Sequence, residues 1–177
     1  MINFINRYCA EYRAEACRER PADSTTEREF APPGFRARDG LIIDVFPKSQ
    51  DPWTGKFTFG ETAFDTLLAC PSPTRLLVAS RGACYIVDVD NPSDFWVPFS
   101  GFAQGSACLT TPDIVLIWDP VQILATNGER TMWTWTERID GISEVRQTDA
   151  GLSVRAHDPS VGHLRTFLLD ARSGNEV

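Results

Sequence analysis

Ser72–Asp90 reads SPTRLLVASRGACYIVDVD, and this stretch decides the fold class. Leu76–Ser80 and Ala83–Val89 are apolar runs separated by Arg81-Gly82, and the second run alternates. Tyr85, Val87 and Val89 fall on one face, Ile86 and Asp88 on the other. Successive side chains of an extended chain point to opposite faces, so this period of two is the mark of a strand, with the glycine at a turn or bulge. A short apolar strand, a tight break and a longer strand ending in an acidic turn recur at Ile114–Glu137 and Leu152–Asp170. No strand–helix–strand alternation is visible, which argues against a parallel, doubly wound sheet.

Outward from this hairpin, the chain reads as about ten short strands joined by Pro, Gly, Asn and Asp turns. Leu41–Phe46, Lys56–Gly60 and Thr62–Ala69 precede it, the last also compatible with a helix. Phe95–Phe99, interrupted by Pro98, follows Asn91-Pro92-Ser93-Asp94. Asn127-Gly128 is a strong tight-turn dipeptide. In Thr131–Glu137, Trp133 and Trp135 share one side of an alternating strand. The one helix expected is N-terminal: Ile5, Tyr8, Cys9, Tyr12 and Ala16 recur at three- and four-residue spacing over residues 2–19. The sequence therefore predicts a mainly β, antiparallel single domain, a sandwich or an incomplete propeller-like meander. Its segments are a helix over 1–20, a Pro- and Gly-broken linker over 21–40, and the β domain over 41–177.

Composition narrows function by exclusion. The 177 residues carry 17 basic and 24 acidic side chains, a net charge of −7. Seven arginines balance seven acids in the first forty residues, so the whole excess lies beyond them. A sheet domain of that sign repels phosphate backbones, so a basic protein or peptide is a better electrostatic match than nucleic acid. The five cysteines are widely spaced without a Cys-x-x-Cys pair and read as small buried hydrophobes. No apolar run approaches a membrane span or a signal-peptide core, which makes the cytoplasm the expected location.

The stretches LLVASRGACYIVDVDNPSDF (76–95), IVLIWDPVQILATNGERTMWTW (114–135) and FLLDARSG (167–174) resemble a group of small bacterial β-rich proteins whose meandering strands are similar to propeller blades. The resemblance covers roughly residues 74–174 and rests on strand-and-turn texture. Some proteins of this texture resemble immunity proteins, which neutralise secreted toxins by binding them. The resemblance thus implies a non-catalytic binding protein and carries over no catalytic residue.

Several kinds of site can be weighed against the residues. His157 and His163, flanking Asp158-Pro159-Ser160-Val161-Gly162, are placed across the mouth of a hairpin, where with Asp158 they could relay a proton or begin a metal site; further ligands are not nominated. Ser106, Cys84 and Cys108 lack the spacing of an elbow nucleophile. Asp88, Asp90 and Asp94 fit turn capping better than paired catalytic acids or a calcium loop. No glycine-rich phosphate loop is present, so no cofactor is expected. The aromatics are the stronger lead: Trp133, Trp135, Trp118 and Trp96, rimmed by Asp119, Glu129 and Glu137, would suit a protein-binding patch. The leading expectation is a non-catalytic partner-binding protein, and the resemblance implies an immunity-like inhibitor of a basic toxin or effector. The alternatives are a small hydrolase or metal-dependent enzyme using His157, His163 and Asp158, and an assembly protein that pairs through an open sheet edge.

Overall fold

The computed structural model describes residues 2–17, 27–36 and 39–177, and the chain divides into two compact units, Met1–Ala103 and Gln104–Val177. The first unit contains β1 (Phe4–Ile5), β2 (Tyr12–Cys17), β3 (Glu27–Phe30), β4 (Gly40–Pro47), β5 (Trp53–Thr58), β6 (Thr66–Ala69), β7 (Arg75–Ser80), β8 (Ala83–Asp88) and β9 (Phe95–Ser100). They form a four-stranded sheet in the order β2-β4-β5-β3 and a five-stranded sheet in the order β1-β6-β7-β8-β9. Pairing is antiparallel except where β3 joins β5 and β1 joins β6. One core draws on both sheets: Phe30 stacks on Phe57 at 4.4 Å, and Phe57 meets the edge of Tyr85 at 5.4 Å. The Tyr85 hydroxyl donates to Thr58 O at 2.9 Å, so this large side chain is buried without an orphaned polar group.

The Arg81-Gly82 break is a two-residue hairpin turn with both φ angles positive, +48° and +89°. Such turns match the right-handed twist of the strands they join, and glycine makes the second position cheap. Arg81 carries the left-handed strain, and its N–H is held by Asp65 Oδ1 at 2.7 Å.

The expected N-terminal helix is absent; no helix occurs among the described residues. Tyr12–Cys17 pairs antiparallel with β4 instead, placing Tyr12 and Ala14 in the core while Arg13 and Glu15 stay exposed. The same residues that fit a thin helical stripe also alternate with period two. Ladder bonds to a neighbouring strand outweigh the few tenths of a kcal/mol per residue by which helix propensities differ. Residues 18–19 of that helix, and 21–26 and 37–38 of the expected linker, lie outside the described residues, whereas Glu27–Phe30 within the linker is β3.

The second unit contains β10 (Gly105–Thr110), β11 (Asp113–Trp118), β12 (Gln122–Thr126) and β13 (Thr131–Thr136), followed by β14 (Ile142–Thr148), β15 (Gly151–Asp158) and β16 (His163–Leu169). These make an antiparallel sheet β10-β11-β12-β13 and an antiparallel sheet β14-β15-β16. Leu116, Ile123, Trp133 and Trp135 of the first pack with Leu152, Val154, Phe167 and Leu169 of the second. Three strand ends share one device, although the second lies within Ile114–Glu137 and not at its acidic end. Asp88 Oδ1 accepts from the N–H groups of Asp90 and Asn91, Asn127 Oδ1 from Glu129 and Arg130, and Asp170 Oδ1 from Arg172 and Ser173. Each side chain mimics a backbone turn where β8, β12 and β16 end, the mechanism that favours Asx residues there. No helix of the described residues is long and apolar enough to cross a membrane, a statement that does not extend to strands.

Candidate functional site

The two histidines do not converge. His157 lies across from Leu164 and Asp158 across from His163 in the β15–β16 ladder. Adjacent strand residues point to opposite faces, so the two imidazoles are on opposite sides of the sheet. Asp158 is committed elsewhere: Oδ1 accepts from Ser160 N at 2.9 Å and Ser160 Oγ at 2.5 Å, and Oδ2 accepts from Arg165 Nη1 at 2.9 Å. Hydrogen bonds from Ser160, then from Arg165, lower its pKa to about 2. His163 Nδ1 lies 2.9 Å from Val161 O. Among the described residues no three His, Cys, Asp or Glu side chains gather as metal ligands do. The expected proton relay or metal seed is therefore replaced by a turn-locking carboxylate.

That carboxylate makes a pH prediction. Its folded-state pKa is depressed, so its contribution is present above the ordinary carboxylate value and is lost as the pH falls toward about 2. Acid titration of wild type and Asp158→Asn should show the variant's stability falling less steeply between roughly pH 4 and 2. Equal slopes would mean that the Ser160 and Arg165 bonds do not distinguish the folded state.

The tryptophan patch is also corrected. Trp133 and Trp135 are 8% and 6% exposed, inside the core of the second unit. Trp133 donates Nε1–H to Ala171 O at 3.1 Å and packs close against Gly174, while Trp135 meets the edge of Phe167 at 5.2 Å. Trp118 is half-buried against Gly105, its partner across β10 and β11. Trp96 is half-buried on β9, in the first unit. Asp119 holds the Val121 and Gln122 N–H groups of a turn, and Glu129 and Glu137 are exposed. The alternation that made Trp133 and Trp135 share a side was read correctly, but that side faces inward. Two of the thiols are held away from the reactive thiolate. Burial, then Asp44, pushes the Cys17 thiol up to about 11, and burial pushes Cys84 well above the usual thiol value. Cys70 and Cys84 are buried as expected, whereas Cys9 is exposed.

The exposed aromatics lie elsewhere. Phe35, Phe59 and Phe102 are 66%, 37% and 62% exposed, and all three line one cavity of about 270 Å³ in the first unit. Pro32 shares its lining, with Arg36 and Glu61 as its charged members. Three loops place these rings. Phe35 follows a turn closed by its N–H on Pro32 O at 3.0 Å, with Gly34 at φ +83°. Phe59 leaves the end of β5, and the segment after it is stitched down by Gly60 N–H to Ser80 O, Glu61 N–H to Gly101 O and Thr62 N–H to Arg81 O, at 2.8–2.9 Å. Ala103 N–H then reaches Gly82 O at 3.0 Å, fixing the loop that carries Phe102.

Glycine is needed where these loops cross. A Cβ on Gly60 would stand 2.5 Å from Ala83 N and 2.7 Å from Gly101 Cα. Phe59 and Phe102 are thus presented by closely packed, hydrogen-bonded backbone, and Phe35 by a hydrogen-bonded turn. The Arg81 guanidinium sits 5.4 Å from the centre of the Phe59 ring, a cation–π contact that leaves the ring partly open.

The strand pattern hides this site, because Phe57 and Phe59 alternate on KFTFG and so share one face of a continuous strand. Phe57 is fully buried, but β5 ends at Thr58 and Phe59 turns out. A signal was present: Gly34-Phe35, Phe59-Gly60 and Gly101-Phe102 each set a large apolar ring beside a glycine in a turn segment. No family model, curated protein or solved structure matches the chain.

Proposed function

We propose that this is a non-catalytic protein-binding protein whose recognition site is the Phe35/Phe59/Phe102 cavity, seating a proline or aromatic side chain of a partner. The observation that carries the reading is the convergence of three exposed phenylalanines from three separate loops on one cavity. Isolated exposed apolar residues need no explanation, but a cluster rimmed by charge marks an interaction site. Cavities for whole small molecules run to roughly 300–1,000 Å³. A smaller cleft with aromatic walls suits one or two side chains of a peptide. The chain's net charge of −7 favours a basic partner, steered in before the rings are covered. We read each unit as a sandwich of two sheets, because one core draws residues from both of its sheets.

The test is selection of random peptides on wild-type protein, counted against a Phe35→Ser/Phe102→Ser double variant. Both rings are exposed, so the variant should fold. Enriched peptides should carry proline or aromatic residues with flanking Lys or Arg. Each lost ring should weaken binding by about 1–2 kcal/mol, roughly tenfold. Peptides that bind wild type and variant equally would remove the cavity from the function.

A further inference from the structure

The cavity that carries the three phenylalanines is not apolar throughout. Phe35, Phe59 and Phe102 are its exposed rings and stand at its mouth. Pro32, Thr58 and Gly101 are its buried members, and of these only Thr58 has a polar side chain. The strand β5 puts it there. Phe57 points into the core, so the next residue along the strand points to the other face. Thr58 ends the strand and is 6% exposed.

The Thr58 carbonyl has a partner within the chain, since it accepts from the Tyr85 hydroxyl at 2.9 Å. The Thr58 hydroxyl does not. Its Oγ1 is buried with no hydrogen-bond partner among the described residues. Buried hydroxyls in folded chains are nearly always bonded, because an unmet one keeps the whole cost of leaving water. Thr58 lines the cavity, so the partner its hydroxyl lacks can be supplied by whatever fills that cavity.

We infer that the cavity is a tyrosine pocket: it seats a partner's tyrosine ring among Phe35, Phe59 and Phe102, with the phenolic hydroxyl bonded to Thr58 Oγ1. This rests on the reading of the cavity as the recognition site, and it narrows the occupant from any proline or aromatic side chain to one. Rings at the mouth and a hydroxyl at the buried end call for an apolar body with a polar tip, and tyrosine has that form. Its hydroxyl stands at the far end of the ring from Cβ, whereas the indole N–H of tryptophan lies on the ring's flank. A hydroxyl both donates and accepts, so it can pair with Thr58 Oγ1 in either direction. Phenylalanine or proline would fill the same space, close it over Thr58 and leave that hydroxyl unmet. A site that bonds a ligand's hydroxyl therefore turns away the analogue lacking it.

The test uses two blocked peptides, Gly-Lys-Tyr-Lys-Gly and its phenylalanine counterpart, whose lysines supply the basic flanks expected of the partner. Each is titrated into nitrogen-15-labelled protein and followed at the amides of Gly60, Gly101 and Phe102. The tyrosine peptide should bind roughly five- to tenfold more tightly. Thr58→Val keeps the shape of the side chain and deletes the hydroxyl. It should bring the two peptides to equal affinity by weakening the tyrosine peptide alone, whereas Thr58→Ser should keep the preference. Thr58→Val should also unfold at a urea midpoint no lower than wild type, because the group it deletes is unmet in the free protein. Phe35→Ser/Phe102→Ser should weaken both peptides together. Equal binding of the two peptides to wild type, a preference that survives Thr58→Val, or a lowered midpoint for that variant would overturn the tyrosine assignment while the cavity kept its role in recognition. Failure of both peptides to bind would overturn the two readings at once.

Discussion

Trp135→Ala is expected to cost about 3–5 kcal/mol of stability, the scale for emptying a buried tryptophan site. The ring is 6% exposed, paired with Ile123 across β12 and β13, and packed edge-on against Phe167 from the facing sheet. Removing it leaves a cavity between two sheets whose backbones are fixed by ladder bonds and cannot collapse to fill it. Trp135→Phe should cost only about 1–2 kcal/mol. It keeps a ring against Phe167 and deletes an indole N–H that is buried with no hydrogen-bond partner among the described residues. Urea unfolding followed by far-ultraviolet circular dichroism measures both. An alanine variant as stable as wild type would mean that the ring is not part of the core. A binding experiment using Trp133→Ala or Trp135→Ala would therefore report unfolding, and the exposed phenylalanines are the right residues to change.

Gly82→Ala is expected to cost roughly 2–4 kcal/mol, the sum of left-handed strain and a backbone collision. At φ +89° an alanine is strained by itself, and its Cβ would lie 2.7 Å from Gly101 O and 2.9 Å from Ala103 O, besides colliding with Thr62 Oγ1. Those oxygens belong to the loop that carries Phe102, so the variant should also weaken whatever peptide the cavity selects. Gly34→Ala is the control. Its φ is +83°, but a Cβ there meets nothing within 4 Å, so the expected cost is only the strain, about 1–2 kcal/mol. Thermal or urea midpoints of the two variants separate the contributions. If both cost the same, close packing at the loop crossing does not matter to the fold.

The strands were legible because their signal is local. Tyr85, Val87 and Val89 alternate in SPTRLLVASRGACYIVDVD, Arg81-Gly82 can only turn sharply, and Asp88, Asn127 and Asp170 cap turns through bonds to residues two and three positions on. Period two and turn chemistry lie within a few residues of sequence, so they survive without tertiary knowledge. The N-terminal segment failed for the same reason. YRAEAC satisfies both periods, and only the presence of β4 as a hydrogen-bonding neighbour chooses between them.

The site was not legible, because exposure is decided by what covers each face. Trp133 and Trp135 were placed on a common side by their spacing, but only the facing sheet β14-β15-β16 makes that side the interior. His157 and His163 are six residues apart around a turn, and the ladder register sends them to opposite faces. Phe35, Phe59 and Phe102 are spread over more than sixty residues of chain, and no sequence period connects them. The sequence by itself determined a mainly β protein, its hairpin turns and its acidic charge. The tertiary structure alone decided which aromatic rings are core and which are open. Burial depends on packing between segments distant in the chain, whereas strand and turn depend on neighbours.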